Sequence, residues 1–97
     1  MRSRIMLNIR SRLNDRIIAV PATVAYLTLP HGSIKIFCAK QSATNWEVIE
    51  YATGYAIGRG KTRKEAGINA LQILVTIGVL GPKDLERYTR NKAIINR

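Results

Sequence analysis

Acidic residues are scarce in this chain: six Asp and Glu stand against 16 Lys and Arg, leaving a formal charge of +10. Solubility rarely needs such an excess, and it favours contact with nucleic acid or an anionic surface. Cysteine is rarer still. Cys38 stands alone, which excludes an intrachain disulfide and a multi-cysteine zinc site and fits a reducing interior, so a cytoplasmic location is expected. His31 is also single and follows Pro30 in a Pro-His-Gly turn, so an imidazole metal site has no second partner. No metal or cofactor is expected. The apolar stretches 17–30 and 70–80 are interrupted by Pro21 or too short for the ~20 residues that span a bilayer, so no membrane partner is expected. The opening Met1-Arg2-Ser3-Arg4-Ile5 lacks the continuous apolar core of a secretory signal.

Catalytic constellations are missing as well. No Ser-His-Asp set, Cys-His pair or paired carboxylates can be assembled, since Glu47 and Glu50 fall on opposite faces of one predicted strand. A nucleotide-cradling Gly-x-x-x-x-Gly-Lys-Thr loop needs a glycine at position 55, where Tyr55 stands; Gly54 is one residue too early. An enzyme is not expected.

What is present suits a single α+β domain over 1–97, with a core at about 23–80: a small antiparallel sheet of three to four strands packed against a helix, flanked by terminal helices. Ile5, Met6, Ile9 and Leu13 recur at helical spacing, predicting a basic amphipathic helix over 3–14. Residues 23–29 read as a strand at a sheet edge because Pro21 removes a donor just before it. After the turn at Pro30-His31-Gly32-Ser33, Ile34, Ile36 and Cys38 alternate with Lys35, Phe37 and Ala39. Trp46, Val48 and Glu50 alternate with Glu47, Ile49 and Tyr51 beyond the turn at Ser42-Ala43-Thr44-Asn45. A short strand over 55–58 follows Thr53-Gly54. Thr62 and Glu65 then form a capping box that opens a helix with an apolar stripe of Ala66, Ala70, Ile73, Leu74 and Ile77, ended by Gly78 and Gly81-Pro82. A last helix over 82–96 turns Leu85 and Tyr88 inward.

The stretch from Gly58 to Ala66 carries the most functional information. Negative charge is favoured at a helix N-terminus, yet Arg63 and Lys64 occupy the first turn, and a docked phosphate would restore the balance. Arg59, Lys61, Arg63 and Lys64 are the candidate nucleic-acid contacts, with Tyr55 as a stacking surface near them; Tyr51, the other tyrosine flanking that turn, is a second stacking candidate, although strand aromatics are more often core. Arg2, Arg4, Arg10, Arg12, Arg87 and Arg90 are secondary phosphate contacts or solvated helix faces. The 73–80 segment is apolar all round, so either the terminal helices or a second copy covers it.

Trp46, Val48, Gly54, Ile57, Gly58, Gly60, Thr62, Arg63, Lys64, Glu65, Ala66 and Ala70 resemble, in register, the second half of a double-stranded-RNA-binding domain. The resemblance covers roughly 33–77 and implies that Arg63 and Lys64, assisted by Lys61, grip phosphates across an RNA major groove. The first half of that pattern is not present: Ser42-Ala43-Thr44-Asn45 stands in place of Gly-Pro-x-His, and the first 14 residues contain no acid. Gly60, Thr62, Glu65, Ala66, Asn69, Ala70 and Leu74 are also similar to the helix entry of HicB-like antitoxins, which bind a toxin. The expected function is therefore phosphate-backbone binding to structured or duplex RNA, or to DNA, without catalysis. The alternative is a small viral or antitoxin-like protein that regulates a protein or ribonucleoprotein.

Overall fold

A computed structural model describes residues 4–10 and 17–95. Five strands, β1 (Arg4–Arg10), β2 (Ile17–Leu29), β3 (Gly32–Ser42), β4 (Asn45–Glu50) and β5 (Ala56–Gly60), precede two helices, α1 (Arg63–Thr76) and α2 (Pro82–Ile95). The strands form one antiparallel sheet in chain order, β1-β2-β3-β4-β5, so the fold is α+β with five strands rather than three or four. No helix among the described residues is long and apolar enough to cross a membrane.

The predicted N-terminal helix is instead a strand. Arg4 to Arg10 pair with Thr23 to Ile17, and residues 11–14 of the predicted helix lie outside the described residues. Arg4-Ile5-Met6-Leu7-Asn8-Ile9-Arg10 satisfies a period of two as well as a helical one, because Ile5, Leu7 and Ile9 alternate with polar or long side chains. A segment this short has no intrinsic winner, and the unpaired first half of β2 supplies the partner that decides it. Accordingly β2 is longer than expected and runs through Pro21. Its first half pairs with β1, while its pairing with β3 begins at Ala22↔Ala39. Pro21 thus sits where β2 has a neighbour on one side only, the place where a missing donor is tolerated. β2 therefore lies between β1 and β3 and is not the edge strand expected over 23–29; only residues 24–29 have β3 on one side and no described strand on the other.

Two clusters hold the sheet. On the helix side, Leu27, Leu29, Ile34, Ile36, Cys38 and Val48 pack beneath Ala66, Ala70, Leu74, Val79 and Leu85. On the other side Val20, Ala22, Ala39 and Ile49 form a smaller cluster with Leu7, Ile18 and Phe37 against it. The core therefore extends beyond 23–80 at both ends, to Val20 and to Leu85. It also omits two residues of the predicted stripe: Ile73 and Ile77 are 47% and 41% exposed. The buried row on α1 is Ala66, Ala70 and Leu74, at strict i, i+4 spacing.

Two glycines explain that row. A Cβ on Gly58 would meet the backbone and Cβ of Ala70 at 2.6 Å, and one on Gly60 would meet the Ala66 nitrogen at 2.5 Å. Alternate residues of β5 thus face successive turns of α1 with no side chain between. The end of α1 is a Schellman motif: Val79 N–H donates to the Leu74 carbonyl at 2.8 Å, Gly78 N–H donates to Val75 at 3.1 Å, and Gly78 takes a φ of 83°. Leu74 and Val79, both buried, make the hydrophobic contact of that motif. Beyond it, His31 N–H donates to the Leu80 carbonyl at 2.7 Å, tying the β2–β3 turn to the interhelical link and seating α2.

Candidate nucleic-acid interface

Thr62 has extended backbone angles, and its hydroxyl accepts from Glu65 N–H at 3.1 Å, so α1 starts where the sequence predicts. Lys61 and Lys64 are exposed and Arg63 is half-buried. None of the three has an ion-pair partner among the described residues. The first turn thus carries uncommitted positive charge against its own dipole.

Strand register adds to this end of the molecule. Lys40 lies opposite Trp46, and Trp46 lies opposite Gly60, the last residue of β5 before the basic turn. Lys40 and Trp46 therefore share the sheet end from which α1 departs, and the Lys40 ammonium stands over the indole at 5.8 Å. Sequence alone does not single out Lys40. Counting back from the Ser42–Asn45 turn would pair Gln41 with Trp46; a register shift between Lys40 and Ser42 places Lys40 opposite Trp46 instead, and the β4–β5 register brings both to the helix start.

Arg59 is different. Its Nε donates to the Glu47 carboxylate at 3.0 Å, across the β4–β5 pair Glu47↔Arg59. Glu47 is buried, and Arg59 Nη2 is enclosed without a hydrogen-bond partner among the described residues. This guanidinium is committed to the sheet, so the four expected contacts divide into three free cations and one paired one. Glu47→Ala would leave a half-buried guanidinium without its carboxylate. An unfolding free energy lower by about 2 kcal/mol is expected, below the full cost of breaking a wholly buried pair because Arg59 is partly exposed. Urea denaturation of the wild type and variant checks it.

The remaining candidates disperse. Tyr51 stacks on Phe37 with ring centres 4.8 Å apart and the Lys35 ammonium 4.0 Å above it, on the face away from the helices. Tyr55, 44% exposed, lies instead in a cleft between β5, α1 and α2. The two tyrosines that flank the same turn therefore serve opposite sides of the sheet. Arg4 and Arg10 belong to β1 and not to a helix, Arg87 is exposed on α2, Arg90 lies in the same helix, and Arg2 and Arg12 lie outside the described residues. Glu47 and Glu50 fall on opposite faces as expected. The buried Glu50 carboxylate accepts from Thr53 N–H at 3.2 Å and from Ala52 N–H, so it closes the β4–β5 turn. No family model, curated protein or solved structure matches the chain.

Proposed function

We propose that this chain is a non-catalytic nucleic-acid-binding protein that grips the phosphate backbone through Lys61, Arg63 and Lys64, with Lys40 and Trp46 beside them. The observation that carries this reading is a cluster of uncommitted cations at a capped helix start, where helix electrostatics favour an anion. Structured or duplex RNA ranks ahead of DNA because the sequence from Trp46 to Ala70 resembles the phosphate-gripping half of a double-stranded-RNA-binding domain.

Trp46 is the only tryptophan, so its fluorescence reports binding at this end without a label. Titration with random duplex RNA, duplex DNA and single strands at several salt concentrations is the test. Binding should weaken log-linearly with salt. No binding at low salt would remove the proposal in favour of a protein-regulating role.

One observation favours that second reading. Ile68 and Val75, two helical turns apart on the side of α1 away from the sheet, are 46% and 51% exposed. Of the 73–80 segment, Leu74 and Val79 are committed to the core, so a second copy or a protein partner would meet Ile73, Val75 and Ile77. Sedimentation over a range of concentrations separates a homodimer from a monomer.

A further inference from the structure

The cleft that holds Tyr55 has a volume of about 690 Å³ and lies between β5, one flank of α1 and the start of α2. That volume is in the range of small-molecule sites. Its apolar surface comes from Tyr55, Ile73 and Ile77, each more than 40% exposed, with Ile57, Leu85 and Tyr88 around them. Three large apolar side chains converging on one recess while still wet is an arrangement that an apolar occupant would stabilise.

The polar groups define that occupant. Glu50 is held by backbone N–H groups of its own turn, and the Arg59 guanidinium is held by Glu47. Among the described residues both charged groups lining the cleft are thus engaged, with only Arg59 Nη2 lacking a hydrogen-bond partner, and this favours a neutral occupant over a phosphate or a carboxylate. Asn69 donates its Nδ2 to the Arg59 carbonyl at 2.6 Å and keeps Oδ1 to accept, and Gln72 offers a second side-chain amide on the same flank. Amides of this kind match the donor and acceptor edge of a nucleobase, and tyrosine rings match its faces. The cleft also adjoins the basic end along the chain. Gly58 and Arg59 line it, Gly60 and Lys61 follow directly, and the helical rise from Arg63 to Gln72 is about 13 Å, the reach of a few nucleotides.

We infer that this cleft receives one unpaired nucleobase of the nucleic acid whose backbone the α1 start holds. The inference rests on the proposed function and adds to it a preference for RNA with a bulged or looped base over a perfect duplex. It is tested by comparing the full chain's affinity for a duplex RNA and for the same duplex carrying one unpaired base, at fixed low salt. The bulged RNA should bind roughly tenfold tighter, the discrimination one base stack supplies. Ala56→Trp, at an exposed position on the cleft wall, should block the recess, and Gln72→Ala should remove an edge contact. Both should reduce the preference while perfect-duplex affinity and its salt slope stay unchanged, with circular dichroism verifying the fold. Methyl NMR shifts at Ile73 and Ile77 should move with the bulged RNA and not with the duplex. Equal affinity for the two RNAs, or a preference that survives Ala56→Trp, would overturn the inference and leave phosphate binding standing. Absence of binding to either RNA would overturn both.

Discussion

Replacing Lys61, Arg63 and Lys64 together with glutamine is expected to lower duplex RNA affinity at least roughly tenfold in low salt and to make the log–log salt slope shallower by roughly 2–3, close to one unit for each phosphate that is no longer neutralised. Glutamine keeps the length and helix propensity of these positions, and the Thr62 cap is untouched. The same substitution should leave the fold slightly more stable, by a few tenths of a kcal/mol, because it removes positive charge from the positive end of the α1 dipole. Opposite signs for binding and stability mark residues retained for a partner and not for the fold. Fluorescence titration measures the first effect and urea denaturation the second. Unchanged affinity with an intact fold would reduce the cluster to a solvated helix end.

Replacing Gly58 with alanine is expected to lower stability by at least about 3 kcal/mol, at the upper end of overpacking costs, and the melting temperature by roughly 10–20 °C. The reason is geometric. The added methyl would lie 2.6 Å from the nitrogen, Cα and Cβ of Ala70, so a backbone and not a flexible side chain must give way. Gly60→Ala meets Ala66 and Glu65 in the same way. Gly67→Ala is the internal control: nothing lies within 4 Å of its added Cβ, and removing a glycine from a helix interior should stabilise by about 0.5–1 kcal/mol. Thermal and urea denaturation of the three variants would show one glycine to be dispensable and two to be required. Small effects at Gly58 and Gly60 would contradict the close approach of β5 to α1.

These glycines bear on how the Gly-x-Gly pattern is understood. In sequence it draws attention as part of a motif that ends in basic residues, and a role for its backbone in holding phosphate would be a natural reading. Packing alone accounts for both positions, since Gly58 faces Ala70 and Gly60 faces Ala66. Of the motif, the proposed phosphate contact is left with Lys61, Arg63 and Lys64, whose charges no ion pair among the described residues explains. Asn69, one of the residues similar to the HicB-like helix entry, ties α1 to β5 by donating to the Arg59 carbonyl.

Local chemistry determined much of this protein directly. Thr62 as a cap, Gly78 as a helix terminator, the Pro30-His31 and Ala43-Thr44 turns, and the alternation of β3 and β4 all depend on neighbours within a few residues, so they could be read from the chain. The excess of positive charge and the unusual basic first turn of α1 were legible for the same reason. Tertiary structure decided the rest. The segment 4–10 became a strand because β2 offered it a partner, an interaction between residues as distant as Arg4 and Thr23 that no local pattern encodes. Ile73 and Ile77 fit the core-facing spacing of a helix yet remained half exposed, because the docking of α1 by Gly58 and Gly60 rotates only Ala66, Ala70 and Leu74 fully inward. Cross-strand register joined Lys40 and Trp46 to the helix start and paired Arg59 with Glu47. Sequence names the charges, but which of them remain free to meet a partner is fixed by long-range pairing.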